Sequence, residues 1–289
     1  MELHLDPSKR HDAVLLVDIT DGNPNGDPDM ANQPRIDIET RQGLMTDSCI
    51  KRKLRNYVQI VGEGEAGLGI MIEEGSVIKE RIEPAFKAKP PKNKKKPTPE
   101  EQQELANWLQ EQYWDLRMFG GVLESELRAG QVWGAVQIGI ARSISPVYPM
   151  TMTVTRCAAT NPRDDKDNKT IGKRELIPYG LYCAHLTYSP HRAAQSLTEN
   201  DLKLLWDGLC NCWDFDRSSV RGFMNCRELS IFTHENKYGN ARASQLFGLV
   251  KAALKDESKP PRKFEDYEVV IDSENVPNGV TLRRHCGNA

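Results

Sequence analysis

Residues 13–20 (AVLLVDIT) form a short, β-branched apolar run bounded by polar positions, and the pattern predicts a buried strand. About twenty residues crowded with Asn, Asp, Gly and Pro follow, DITDGNPNGDPDMANQPRID at 18–37. Pro24, Pro28 and Pro34 bias the residue before each away from helix, and Asn25 and Gly26 suit left-handed positions. Punctuation this dense describes a shaped loop rather than a linker. Over about 43–61, Ile50, Leu54, Tyr57, Val58 and Val61 recur at helical spacing and predict an amphipathic helix. The same wheel sends Lys51, Arg52, Lys53 and Arg55 outward.

Residues 70–83 are weakly extended, and Pro84 to Pro99 alternate prolines with lysines, the composition of an exposed, mobile segment. Thr98-Pro99-Glu100-Glu101 is a capping box that opens a helix carrying Leu105, Trp108, Leu109, Gln112 and Leu116 on one side. Residues 131–142 predict a strand bent at its glycines, 150–157 a half-exposed strand and 180–189 another. The polar, turn-rich stretch 161–174 lies between extended segments, the pattern of a hairpin reaching away from the body. Thr198 to Asp201 caps a helix over 198–213, residues 227–234 resume strand character, and 241–254 predict a helix burying Leu246, Phe247, Val250 and Leu254. An extended piece at 265–272 precedes a polar tail.

With the insertions set aside, the order is βαββαβ, an α+β chain of modified ferredoxin-like or RRM-like class. The open sheet face of such a fold is a familiar platform for single-stranded nucleic acid. The expected organisation is a discontinuous core at 11–61 and 119–255, an insertion at 62–118 with its Lys/Pro segment at 84–99, a hairpin at 150–175 and an extension at 256–289.

Composition narrows the function. A formal charge of −2, from 39 basic and 41 acidic residues, excludes a bulk cationic coat but leaves local basic patches open. Such residues recur at turns and strand ends: Arg35, Arg41, Lys51, Arg52, Arg55, Arg142, Arg156, Lys173, Arg174, Arg217 and Arg221. Contacts of this kind to phosphates fix register without reading bases. Arg217 and Arg221 flank Ser218-Ser219, around which they would close on a phosphate or pair with Asp214 or Asp216. No long apolar run suggests a membrane span, and the seven cysteines lack metal-ligand spacing, so reduced thiols in a soluble cytoplasmic protein without cofactor are expected. GEGEAG at 62–67 matches a dinucleotide fingerprint but follows a helix and carries Glu63 and Glu65, which would repel a pyrophosphate. Asp18, Asp21, Asp27, Asp29 and Asp37 crowd one loop, so a Mg²⁺-dependent nuclease stands as the alternative to a binding protein.

DITDGNPNGDPD, NQPRID, KRKLRNY, DLRMFGGVL, GAVQIGIARSI, IPYGLY and DRSSVRGFM together resemble the crRNA-binding backbone subunit of type I-C CRISPR Cascade complexes, over residues from about 11 to 255. The resemblance implies an RRM-like palm with an inserted finger and a projecting thumb at 150–175. It implies copies assembled head-to-tail along the crRNA, capped by other Cascade subunits, with open bases left to pair with target DNA. RNA-facing roles carry over to the loop residues Asn23, Asn25 and Gly26, to Arg35, Lys51, Arg52 and Arg55, and to Gln137 and Arg142. Met150, Met152 and Val154 suit a wedge between bases, since an apolar insert favours unstacking. The family implies a non-catalytic role.

Overall fold

The computed structural model describes residues 2–93, 96–124, 127–155 and 171–286. Strand β1 (His11–Gly22) leads through two short paired strands, β2 (Gly26–Asp27) and β3 (Gln33–Pro34), to β4 (Gln42–Met45) and helix α1 (Asp47–Val61). An inserted unit follows: α2 (Ile78–Ala88), α3 (Pro99–Gln112), α4 (Trp114–Phe119) and the hairpin of β5 (Gly120–Glu124) with β6 (Arg128–Trp133). The chain returns through β7 (Val136–Ile138), β8 (Ala141–Pro146), β9 (Met150–Thr155) and the long β10 (Ile171–Tyr188). Helix α5 (Glu199–Phe215), β11 (Phe223–His234), α6 (Ala243–Phe247), β12 (Val250–Leu254), β13 (Tyr267–Ile271) and β14 (Val280–Arg284) complete it.

The main sheet is antiparallel, in the order β14-β11-β1-β10-β8-β4. This is the expected α+β class with a central antiparallel sheet. One edge of β10 pairs in turn with β9 at 171–176, β8 at 182–183 and β7 at 186–188. Side chains alternate along β1, so its two faces serve two cores. Ala13, Leu15, Val17 and Ile19 pack with Ile50 and Leu54 of α1 and with Trp206 and Leu209 of α5. Val14 joins Phe232 and Leu246, while Leu16 joins Tyr179, Leu181 and Tyr267. The segment 241–272 therefore covers the face that the RRM-like reading left open for nucleic acid. That face is a core, not a platform.

Other boundaries shift for local reasons. Helix α1 starts at Asp47, capped by the Thr46 hydroxyl, because residues 42–45 pair with β8 instead of coiling. The stretch 131–142 is three strands, broken where Gly134 meets residue 119; a Cβ there would lie 2.1 Å from the Phe119 carbonyl carbon. The expected helix over 241–254 stops at Phe247, and Val250–Leu254 alternates half-buried and exposed residues while pairing with Tyr267–Ile271. Pro84 to Ala88 belong to α2, and Ala85 and Phe86 enter a second core with Leu105, Leu109 and Leu116, so the exposed Lys/Pro segment is shorter than its composition suggests. The capping boxes at Thr98 and Thr198 form as expected. The polar tail is partly structural: β14 is an edge strand of the main sheet, and Cys286 beyond it is disulfide-bonded to Cys210 of α5, so these two cysteines are not the reduced thiols expected.

His11 opens β1 fully buried, its Nε2 2.9 Å from the Asp6 carbonyl oxygen and its Nδ1 3.0 Å from the Thr233 hydroxyl. A carbonyl only accepts, so Nε2 carries the proton and Nδ1 accepts from Thr233. Burial pushes His11 down from 6.5 to about 4, and likewise His4. A histidine kept neutral by the fold stabilises it fully above its unfolded value, and that stability is lost as pH falls from 6.5 toward 4. Urea midpoints are expected to drop across this window, with a shallower slope in His11→Gln; an unchanged slope would show that His11 titrates normally.

Candidate nucleic-acid interface

At its end β1 meets the turn 216–222 backbone to backbone. A Cβ on Gly22 would lie 2.0 Å from the Arg221 carbonyl oxygen, and one on Gly222, at φ +66°, 2.4 Å from that of Thr20. Only glycine permits this approach. The Asn23 N–H donates to the Val220 carbonyl at 2.8 Å, and the Asn23 Nδ2 to the Asn32 carbonyl at 2.7 Å. Asn25 ties the loop to α1: its Oδ1 accepts from the N–H of Thr46 at 2.9 Å, and its carbonyl accepts from the N–H of Arg35 at 3.2 Å. Asn23, Asn25, Gly26, Asn32, Ser218, Val220 and Arg221 line a polar cleft of about 310 Å³.

Arg221 lines this cleft, and further arginines lie on the elements around it. Arg221 reaches the Pro24 carbonyl at 3.5 Å and Asp216 at 3.2 Å, and Arg217 pairs with Asp214, so the carboxylate partners expected for both do form. Arg174, on the outer part of β10, lies 3.5 Å from the Ser219 carbonyl and joins the hairpin to the turn. Arg35 holds Asp27 at 3.1 Å. Further along, Arg142 holds Asp37 at 2.8 Å; its guanidinium keeps that carboxyl below the usual range, helped by the Thr40 N–H. Arg41, at φ 59°, lies 5.7 Å from the Tyr148 ring centre. Two aromatics escaped the sequence reading. Phe223 is 60% exposed beside Arg217, whose guanidinium is 5.6 Å from its ring, and Tyr148 is 62% exposed. The available signals were the position of Phe223 directly after Gly222 and the prolines at 146 and 149, which keep Tyr148 out of a sheet interior.

The stem of the hairpin is a two-stranded ribbon, β9 against 171–176, with every β9 side chain exposed. Met150, Met152 and Val154 share one face of β9, at 41%, 48% and 38% exposure, and Lys173 lies opposite Thr153. Arg156 and the expected hairpin tip lie outside the described residues.

The acidic loop does not gather a metal site. Asp18 is buried and engaged by Arg227 Nε at 2.7 Å, Tyr179 Oη at 2.9 Å and Asn225 Nδ2 at 3.2 Å. Asp27 and Asp37 face separate arginines, and among the described residues no three carboxylates of this loop converge.

The model of the family CRISPR-associated protein Cas7 matches residues 9–272. The chain belongs to the Cas7 family. A Cas7 protein of Haloferax volcanii is 44% identical over 50 residues, which are 17% of this chain and 15% of that protein's length. Among solved structures, a chain of a CRISPR RNA-guided surveillance complex in a pre-nicking state is 12% identical with a TM-score of 0.45, covering 77% of this chain and 78% of its own. A second surveillance-complex chain gives 0.46 at 12% identity over 77% and 68%. A chain of the Type III-B Cmr-beta complex bound to cognate target RNA gives 0.42 at 11% over 77% and 61%.

In this Cas7-family chain the KRKLR cations do not form an outward face. Lys53 is 2% exposed and paired with Asp216. Arg55 is buried, with its Nε 2.7 Å from Asp115, whose carboxylate also accepts the N–H groups of Met71 at 2.6 Å and Ile72 at 3.1 Å. Arg52 donates to the Ile72 carbonyl at 2.9 Å, and Lys51 pairs with Asp47 at 2.9 Å. The carboxylates come from the first turn of α1, from the insertion and from the end of α5, so a count confined to 51–55 misses them. Gln137 is exposed opposite Thr187, ten residues along β10 from the Gly22 end of β1, or about 30 Å at strand rise, and the fold does not bring it to the cleft. Arg55→Ala should leave Asp115 buried without its counter-charge and cost about 3 kcal/mol in urea denaturation, with RNA affinity per folded molecule unchanged. Loss of RNA binding with unchanged stability would return Arg55 to the interface.

Proposed function

We propose that this Cas7-family chain is a non-catalytic, crRNA-binding backbone subunit of the type I-C Cascade kind, repeated head-to-tail along the guide. The observation that carries the reading is the cleft between the loop 23–35 and the turn 216–222, lined by Arg221, with Arg174 and Arg217 on or against the same turn and Arg35 on the loop, on a chain of this family. Backbone amides and arginines at such a place suit phosphates and leave the bases unread, and specificity then passes to pairing with target DNA. Phe223, with Arg217 over it, offers a sequence-tolerant stacking surface. The exposed row Met150, Met152 and Val154 suits a wedge that displaces a base. Neighbouring copies and capping subunits are the expected partners. In this reading Asp18, Asp27 and Asp37 hold the shape of the loop and cut nothing, since their carboxylates face arginines and amides.

The test is crRNA binding by purified protein over a salt series. The Arg174→Ala, Arg217→Ala double variant should bind all sequences about tenfold or more weakly, with the salt slope reduced by roughly 1–2. Phe223→Ala should lose about 1–3 kcal/mol of affinity with thermal stability preserved. An unchanged salt slope would place the RNA elsewhere. With labelled crRNA and target and added Mg²⁺, no cleavage is expected; cleavage abolished by Asp27→Asn would establish the nuclease alternative.

A further inference from the structure

Three cysteines from distant parts of the chain meet on the helix-covered face of the sheet. Cys210 lies on α5, Cys226 on β11 and Cys286 just beyond β14, and their sulfurs all lie within 4.8 Å of one another. Cys210 and Cys286 are joined as a disulfide, with Cα atoms 5.9 Å apart, and Cys226 is a thiol beside them. A disulfide accounts for two of these sulfurs and gives the third no role. We propose that, with the disulfide reduced, Cys210, Cys226 and Cys286 form a three-thiolate site for a zinc-class divalent ion.

Tetrahedral zinc with sulfur at about 2.3 Å sets ligand sulfurs a little under 4 Å apart, so the Cys210 and Cys286 sulfurs must separate on reduction, while Cys226 already lies within 4.8 Å of both. The neighbourhood also holds a fixed imidazole. His285, next to Cys286, has its Nε2 2.9 Å from Asp207 Oδ1, and its Nδ1 is buried without a partner. A carboxylate on one ring nitrogen with the other left open is the arrangement that orients metal-binding histidines. The fourth position falls to water, or to His285 on a movement of the chain end. Binding releases the three thiol protons and moves no electrons. Opening the disulfide takes two electrons and two protons, from a dithiol reductant that becomes a disulfide in turn. The ion would clamp β14 and the chain end onto α5 and β11, a role separate from the RNA-facing cleft.

The experiment uses the full chain purified under reducing conditions, with bound metal measured by elemental analysis and Co²⁺ added as a spectroscopic probe. Near-stoichiometric zinc, a thiolate-to-Co²⁺ charge-transfer band and a melting temperature lowered by chelator are expected. Cys226→Ser, which leaves the Cys210–Cys286 disulfide possible, should weaken metal binding at least tenfold. Absence of metal from the reduced chain, or full retention by folded Cys226→Ser, would overturn the proposal and leave a disulfide only.

Discussion

The burial of β1 on both faces is the constraint from which the rest of the arrangement follows. Its odd-numbered apolar residues lie under α1 and α5, and its even-numbered ones lie against the layer built from 241–272. Each fully buried apolar side chain is worth about 1.5–3 kcal/mol, so neither cover can be lifted to admit a ligand. With both faces closed, the sheet faces themselves are not left to meet a polymer, whereas strand ends, connecting loops and the projecting ribbon are. The long loop after β1 and the turn before β11 emerge at one end because antiparallel neighbours place them there, and Gly22 and Gly222 let them touch.

Charge placement obeys the same constraint. The helix after the loop carries four cations in five residues, yet Lys53 and Arg55 are drawn inside because Asp216 and Asp115 arrive from other parts of the fold. A buried carboxylate such as Asp115, held by two backbone amides and a guanidinium, keeps the inserted unit in register with α1. The cations at the cleft differ in degree: Arg217 and its Asp214 partner are both more than half exposed, so water screens the pair and a phosphate can compete for the arginine. Exposure of the pair, rather than the mere presence of a cation, decides whether an arginine is free to take up an anionic ligand.

This distinction explains what the sequence made legible. Period and capping chemistry are local, and they reveal β1, α1, both capping boxes and the mixed α+β class. The dense turn formers of 18–37 identify a shaped loop for the same reason. The cover over the sheet was not legible, because Val250–Leu254 satisfies a helical apolar count and a strand alternation equally until Tyr267–Ile271 is beside it. Nor was the fate of KRKLR, whose partners are up to 163 residues away. Arg217 and Arg221 were placed correctly at a turn, but only the fold shows that this turn touches the loop after β1.

Strand β10 links these parts mechanically. Its outer segment, 171–176, is half of the exposed ribbon, and by residue 177 it is paired to β1 and within the core. The ribbon therefore continues along one backbone, within a single strand, into the pairing with the buried β1. Arg174, reaching Ser219, braces the ribbon against the turn that lines the cleft. A ribbon held in this way keeps a fixed offset from the cleft. In the proposed reading, displacing bases at regular intervals along a guide requires that fixed offset.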